Sequence, residues 1–246
     1  GVEAGVLPTA VLSTHTMFPK FTFCDLTDEI EGISKTFCEL DIGFDAIYTG
    51  YLGSFRQLGL VSELFDRHKT EGNLIVVDPA MADNGKLYPA FSPEFARAMA
   101  GLCGKADLII PNLTEAAFML DIPYTENYDE DYVKDVLKRL TGLGAKCAAL
   151  TGISFEEGKI GAYCYDSRTD KYFSYFNDKL PVAYHGTGDI FASATLGGLM
   201  RGLTPEEALT LAVDFTLECM RLTVADPNSR FYGVNFEEAL PMYISR

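Results

Sequence analysis

Short apolar runs rich in β-branched residues recur along the chain with helical-period stretches between them. This pattern predicts an α/β fold, a mostly parallel sheet covered by helices on both faces. Strands are expected at Gly5–Ser13, Asp45–Thr49, Asn73–Asp78, Ala106–Pro111 and Lys146–Thr151, each ending in small or polar residues where a crossover must turn. Phe55–Lys69 sets Leu58, Val61, Leu64, Phe65 and His68 on one helical face, with His68 read as a surface residue. Tyr132, Val133, Val136, Leu137 and Leu140 mark a second packing helix. Gly161–Phe176 alternates instead, with Asp166–Asp170 turning the chain, which predicts an antiparallel hairpin near a sheet edge. After Gly202, Thr204 and Glu207 form a capping-box pattern around Pro205. Leu209, Ala212, Val213, Leu217 and Met220 then make the buried stripe of a long helix. No repeat, low-complexity tract or Pro/Gly/Ser linker interrupts the chain, so one domain over residues 1–246 is the simplest division.

Composition narrows the function more than the fold. Twenty Lys and Arg against 35 Asp and Glu leave a net charge of −15, which repels polyphosphate backbones and anionic membranes and argues against nucleic-acid binding. No apolar run reaches the length of about 18 residues that a membrane span needs, and the opening segment lacks a basic start, so a cytoplasmic protein is expected. The six cysteines form no C-x-x-C pair and only three histidines occur, so no zinc cluster is expected and the thiols read as reduced and mostly buried.

Three segments carry candidate chemistry. Gly186-Thr187-Gly188-Asp189 opens a small-residue apolar helix. Free N–H groups and the positive helix end there suit a phosphate, and Asp189 falls in the first turn, either facing that charge or only capping the helix. Asp78 and Asp83 follow a buried strand and precede an Asn-Gly turn, where hard oxygen ligands suit magnesium. Asn112 and Glu115 end another strand three residues apart; taken alone, that pair reads as a helix cap. Neither a Walker phosphate loop nor the dinucleotide G-x-G-x-x-G fingerprint occurs. A G-x-S-x-G nucleophile elbow is also missing, which leaves a hydrolase triad without support. The acidic run Tyr128–Asp135 lacks EF-hand spacing and reads as a solvated helix start, while the aromatics of the hairpin read as cross-strand packing.

Together these segments resemble the ribokinase-like small-molecule kinases, and within them the pyridoxal kinases. The resemblance runs through Leu12-Ser13-Thr14-His15-Thr16, Thr49-Gly50-Tyr51-Leu52-Gly53-Ser54, Asp78 to Tyr88, Asn112-x-x-Glu115, Thr151-Gly152 and Gly186-Thr187-Gly188-Asp189, in the family's order. It implies ATP- and magnesium-dependent phosphorylation of the hydroxymethyl group of a B6 vitamer by a cytoplasmic homodimer, with a monovalent-ion requirement left open.

By position, the resemblance implies that Asp189 accepts the proton of the acceptor hydroxyl and that Gly186, Thr187 and Gly188 stabilise the transferring phosphoryl. Asn112 and Glu115 would organise magnesium through its waters, with Asp78 nearby. Thr151 would meet nucleotide phosphates, His15, Thr16 and Tyr51 the pyridine ring, and Asp83 and Tyr88 a closing flap. The family carries about 30 residues before the position matching Gly1, including a first strand and helix, in domains of the usual size. Leu12 stands where some relatives have an aromatic residue. His185 before Gly186 is similar to hydroxymethylpyrimidine kinases, although those commonly carry cysteine at the position of Asp189. Phosphorylation of a pyrimidine, or binding without catalysis, are the alternative readings.

Overall fold

The computed structural model describes residues 1–15 and 18–246. Its framework is a six-stranded sheet built from β3 (Ala46–Thr49), β4 (Leu74–Val77), β7 (Leu108–Ile109), β8 (Cys147–Ile153), β9 (Lys159–Asp166) and β10 (Lys171–Asp178), in the order β10-β9-β8-β7-β4-β3. The first four are parallel, whereas β9 and β10 run antiparallel as the edge hairpin expected from their alternation.

One expectation is corrected. Gly5–Ser13 is not a strand of this sheet; it contributes only β1 (Ala10–Leu12), which pairs antiparallel with β2 (Phe23–Asp25) in a separate, largely exposed ribbon. Its apolar residues are interrupted by Pro8, which cannot donate to a ladder, and Val11 is 53% exposed. A short apolar run marks strand propensity without saying which sheet will take it.

Alternation along the parallel strands divides the interior into two layers. Ile75, Val77, Ile109, Ala148 and Leu150 face α2 (Phe55–His68), α3 (Pro93–Cys103), α4 (Leu113–Leu120) and α5 (Glu130–Thr141), whose buried stripes include Leu58, Phe65, Met99 and Leu137. Val76, Ile110, Cys147, Ala149 and Cys164 face α6 (Thr187–Met200), α7 (Pro205–Ala225) and α8 (Phe236–Ile244) through Phe191, Leu209, Ala212, Phe215 and Ala239. Another helix, α1 (Ile30–Glu39), packs beside α2. There His68 is half-buried rather than solvated, 3.0 Å from Ser34 Oγ, and burial lowers its pKa.

The helix starts follow local chemistry. Thr204 and Glu207 form the capping box of α7, and Asp129, within the acidic run, accepts from the Tyr132 N–H to start α5. Cys103, Cys147, Cys164 and Cys219 are buried and Cys24 and Cys38 exposed, and none of the six is in a disulfide. Among the described residues, no helix is long and apolar enough to cross a membrane.

Candidate active site

The parallel strands deliver their carboxyl ends to one edge. Thr49, Val77 and Ile109 lie in register, and Asp78 follows one step beyond, its N–H bonded to the Thr49 carbonyl at 2.9 Å. Farther along the same edge, Asn112 bridges to Thr151, whose N–H bonds the Pro111 carbonyl at 3.0 Å. Open α/β sheets collect ligands at such an edge because the loops there are free to vary while the strands hold them in place.

Asn112 and Glu115 do form a capping box. The Asn112 side chain accepts from the Glu115 N–H at 2.9 Å, and Glu115 accepts from the Asn112 N–H at 2.8 Å. Their reach goes further than a cap. Glu115 also accepts from the Met81 N–H at 3.1 Å, and the Asn112 amide donates to the Ala82 carbonyl at 2.8 Å, so the pair anchors the segment that follows Asp78. That segment is a small hairpin, β5 (Ala82–Asp83) and β6 (Lys86–Leu87), turned by Asn84 and Gly85. Both turn residues have positive φ, 50° and 74°, the conformation for which Asn-Gly is suited. Asp83 and Tyr88 are therefore carried at the rim, both exposed.

Burial sets the electrostatics. Asp78, 8% exposed, has its carboxyl raised to about 7, first by burial and then by the charge of Asp189, against a smaller lowering from Tyr48. Glu115, 3% exposed, is pushed well above the usual carboxylate range by burial and by Asp78, although backbone N–H groups oppose this. Asp189 opens to solvent on one side, but desolvation by the surrounding walls still raises it. Tyr88 is raised to about 12 by burial and then by Glu115, Asp83, Asp78 and Asp189, which places the rim tyrosine in the field of all four carboxylates.

Opposite the strand ends, α6 starts at Gly186, whose φ of 84° suits glycine, and no side chain caps it. The first helical bond runs from the Ile190 N–H to the Gly186 carbonyl, so the N–H groups of Thr187, Gly188 and Asp189 precede the ladder. The simple helix-cap role for Asp189 is thus not what this start uses. Thr187 Oγ1 donates to the Tyr184 carbonyl, fixing the approach of the loop.

His15 stacks on His185 with ring centroids 5.8 Å apart and planes at 25°, which brings the His15 segment beside the glycines. Tyr51 instead packs on Phe91 at 5.7 Å and sits near Asp25. Thr16 lies outside the described residues.

Tyr48 is the site residue that periodicity did not single out. It is a phenol in an otherwise aliphatic parallel strand, and it packs with the layer that contains α6. Its hydroxyl is pushed up by burial and then by the charges of Asp78 and Asp189. The polar aromatic within the apolar run was the available signal.

The residues present fit magnesium. Asp78 and Glu115 offer buried oxygen atoms, and the neighbours acting on Asp78 are a carboxylate and a phenol rather than a cation. Among the described residues, no group of three or more His, Cys, Asp or Glu could hold a metal by protein ligands alone.

A model of the phosphomethylpyrimidine kinase family matches residues 27–234. A Bacteroides thetaiotaomicron protein described as a phosphomethylpyrimidine kinase, in a crystal form with pyridoxal, is 39% identical, with a TM-score of 0.91 over 97% of this chain and 84% of that one. The pyridoxal kinase of Staphylococcus aureus in complex with AMP-PCP and pyridoxal is 25% identical, with a TM-score of 0.75 over 93% and 80% of the two chains. A protein of Staphylococcus aureus (strain COL) described as a pyridoxine kinase is 28% identical over 185 residues, 74% of this chain and 64% of its own length. The chain therefore spans just under two thirds of that curated relative. The ribokinase-like α/β architecture expected from the sequence is the one these neighbours share. By family model, fold and relatives alike, the chain belongs to the phosphomethylpyrimidine kinase family and is pyridoxal kinase-like.

Proposed function

We propose that this protein transfers the γ-phosphoryl group of ATP to the hydroxymethyl group of pyridoxal, pyridoxine or pyridoxamine. The observation that carries the reading is Asp189, placed among uncapped helix N–H groups and facing the charge of Asp78 across the strand ends. A carboxylate there takes the proton of the acceptor hydroxyl, while the N–H groups of Gly186, Thr187 and Gly188 receive the negative charge spread over the transferring oxygens. Bound magnesium supplies charge neutralisation of the ATP phosphates. Asp78 and Glu115, with Asn112, would hold it.

Thr151, beside Asn112 on the same edge, faces the nucleotide phosphates. His15, with Thr16 and Tyr51, orients the pyridine ring, and Asp83 and Tyr88 on the hairpin rim exclude water when both substrates are bound. The protein works as a cytoplasmic homodimer. A substrate panel with ATP and magnesium tests this reading: phosphate ester formation on a B6 vitamer is expected, and no turnover of any vitamer would reject it.

A second reading has its own support in the family model and in His185 next to Gly186. Under it the acceptor is hydroxymethylpyrimidine. The relative crystallised with pyridoxal favours the B6 ring, as does the Thr49-Gly50-Tyr51 segment.

A further inference from the structure

The hydroxyl of Tyr48 is completely shielded from solvent and makes no hydrogen bond of normal geometry, although it faces the carboxyl of Asp78. A buried hydroxyl left in that state destabilises the fold, and phenylalanine would fill the same space without that cost. Polar atoms from two other elements converge on it. A β-carbon built on Gly50 would stand 3.7 Å from the Tyr48 hydroxyl oxygen and 4.0 Å from Asp189 Oδ1, so phenol and carboxylate both border the same glycine. The phenol comes from β3 and the carboxylates from the end of β4 and the first turn of α6.

We propose that Tyr48 is a positioning residue for phosphoryl transfer. Its hydroxyl donates into the Asp78–Asp189 pair, fixes the separation of the two carboxylates, and leaves one Asp189 oxygen directed at the acceptor alcohol. Two carboxylates converging without a donor between them repel and rotate apart; one neutral donor holds both without adding charge. This role rests on the kinase reading above and assigns the donor that this reading lacks.

The test uses the whole chain. Tyr48→Phe keeps the ring and removes only the hydroxyl. It is expected to lower kcat about tenfold with KM for ATP and acceptor within about twofold, because a hydrogen bond to a charged group is lost while the binding surfaces stay. Its Tm should hold within a few degrees, since the ring keeps its packing and the cost of burying the hydroxyl offsets the bond it gives up. In an Asp189→Asn background, followed by single-turnover kinetics, the same change should cost nothing further, because the hydroxyl acts through Asp189. An active parent whose kcat survives Tyr48→Phe overturns this inference alone, as does a loss that persists in full beside Asp189→Asn. A parent inactive on every acceptor overturns the kinase reading, and this one with it.

Discussion

The buried carboxyl of Asp78, at the end of β4, lies in the field of Asp189, in the first turn of α6, and that charge adds to burial in raising it to about 7. Two elements far apart in sequence thus meet as two like charges. Such pairs are characteristic of sites built to receive a cation and to move a proton.

That pairing makes stability depend on pH. Asp78 titrates near 3.8 when unfolded and near 7 when folded, so between these values the folded chain holds the extra proton and stability falls as pH rises. Measured in EDTA, the parent should therefore lose stability from about pH 4 to pH 7, and Asp78→Asn should flatten that slope, by an amount on the order of a few kcal/mol. Thermal melts across this range check it. Magnesium should restore Tm most above pH 7, where the carboxylate is ionised.

Asp189→Asn keeps the size of the side chain but cannot accept a proton. Its kcat should fall about 10²–10⁴-fold with nucleotide binding nearly unchanged, toward the lower end if the hydroxyl loses its proton late. Because no side chain caps α6, stability should hardly move. Activity within about threefold of the parent, where chemistry limits the rate, would remove Asp189 from the mechanism.

Glu115→Gln separates the two duties of one side chain. Its carboxylate accepts the N–H groups of Met81 and Asn112, and an amide keeps only part of that, at a cost of about 1 kcal/mol. If Glu115 also organises magnesium, catalysis should weaken more at low magnesium than at saturation. A magnesium titration of kcat/KM reads this directly; an equal loss at every concentration would leave only the cap.

Ring selectivity decides between the two acceptors. The full-length enzyme should turn over at least one B6 vitamer with higher kcat/KM than hydroxymethylpyrimidine, because polar groups left unpaired by the wrong ring discriminate strongly. The reverse preference would move the assignment to the pyrimidine.

Local chemistry was legible wherever short-range physics decides structure. The Thr204–Glu207 box, the Asn84-Gly85 turn, the alternation of the β9–β10 hairpin and the Asn112–Glu115 cap are all readable from neighbours a few residues apart, and each has its expected form. The order of motifs along the chain is itself that of the kinase family. The strand at Gly5–Ser13 was misplaced because an apolar run records burial tendency, not the partner that will supply its hydrogen bonds.

Tertiary structure alone decided what the site residues do to one another. Nothing in the sequence around Asp78 announces that Asp189 will oppose it, that Glu115 will hold the Met81 N–H, or that the Tyr48 hydroxyl will be buried in the field of both Asp78 and Asp189. Sequence specifies each side chain's chemistry and its local backbone. The pKa of a carboxyl depends on burial and on charges brought close through space, and only the assembled sheet and α6 set those distances.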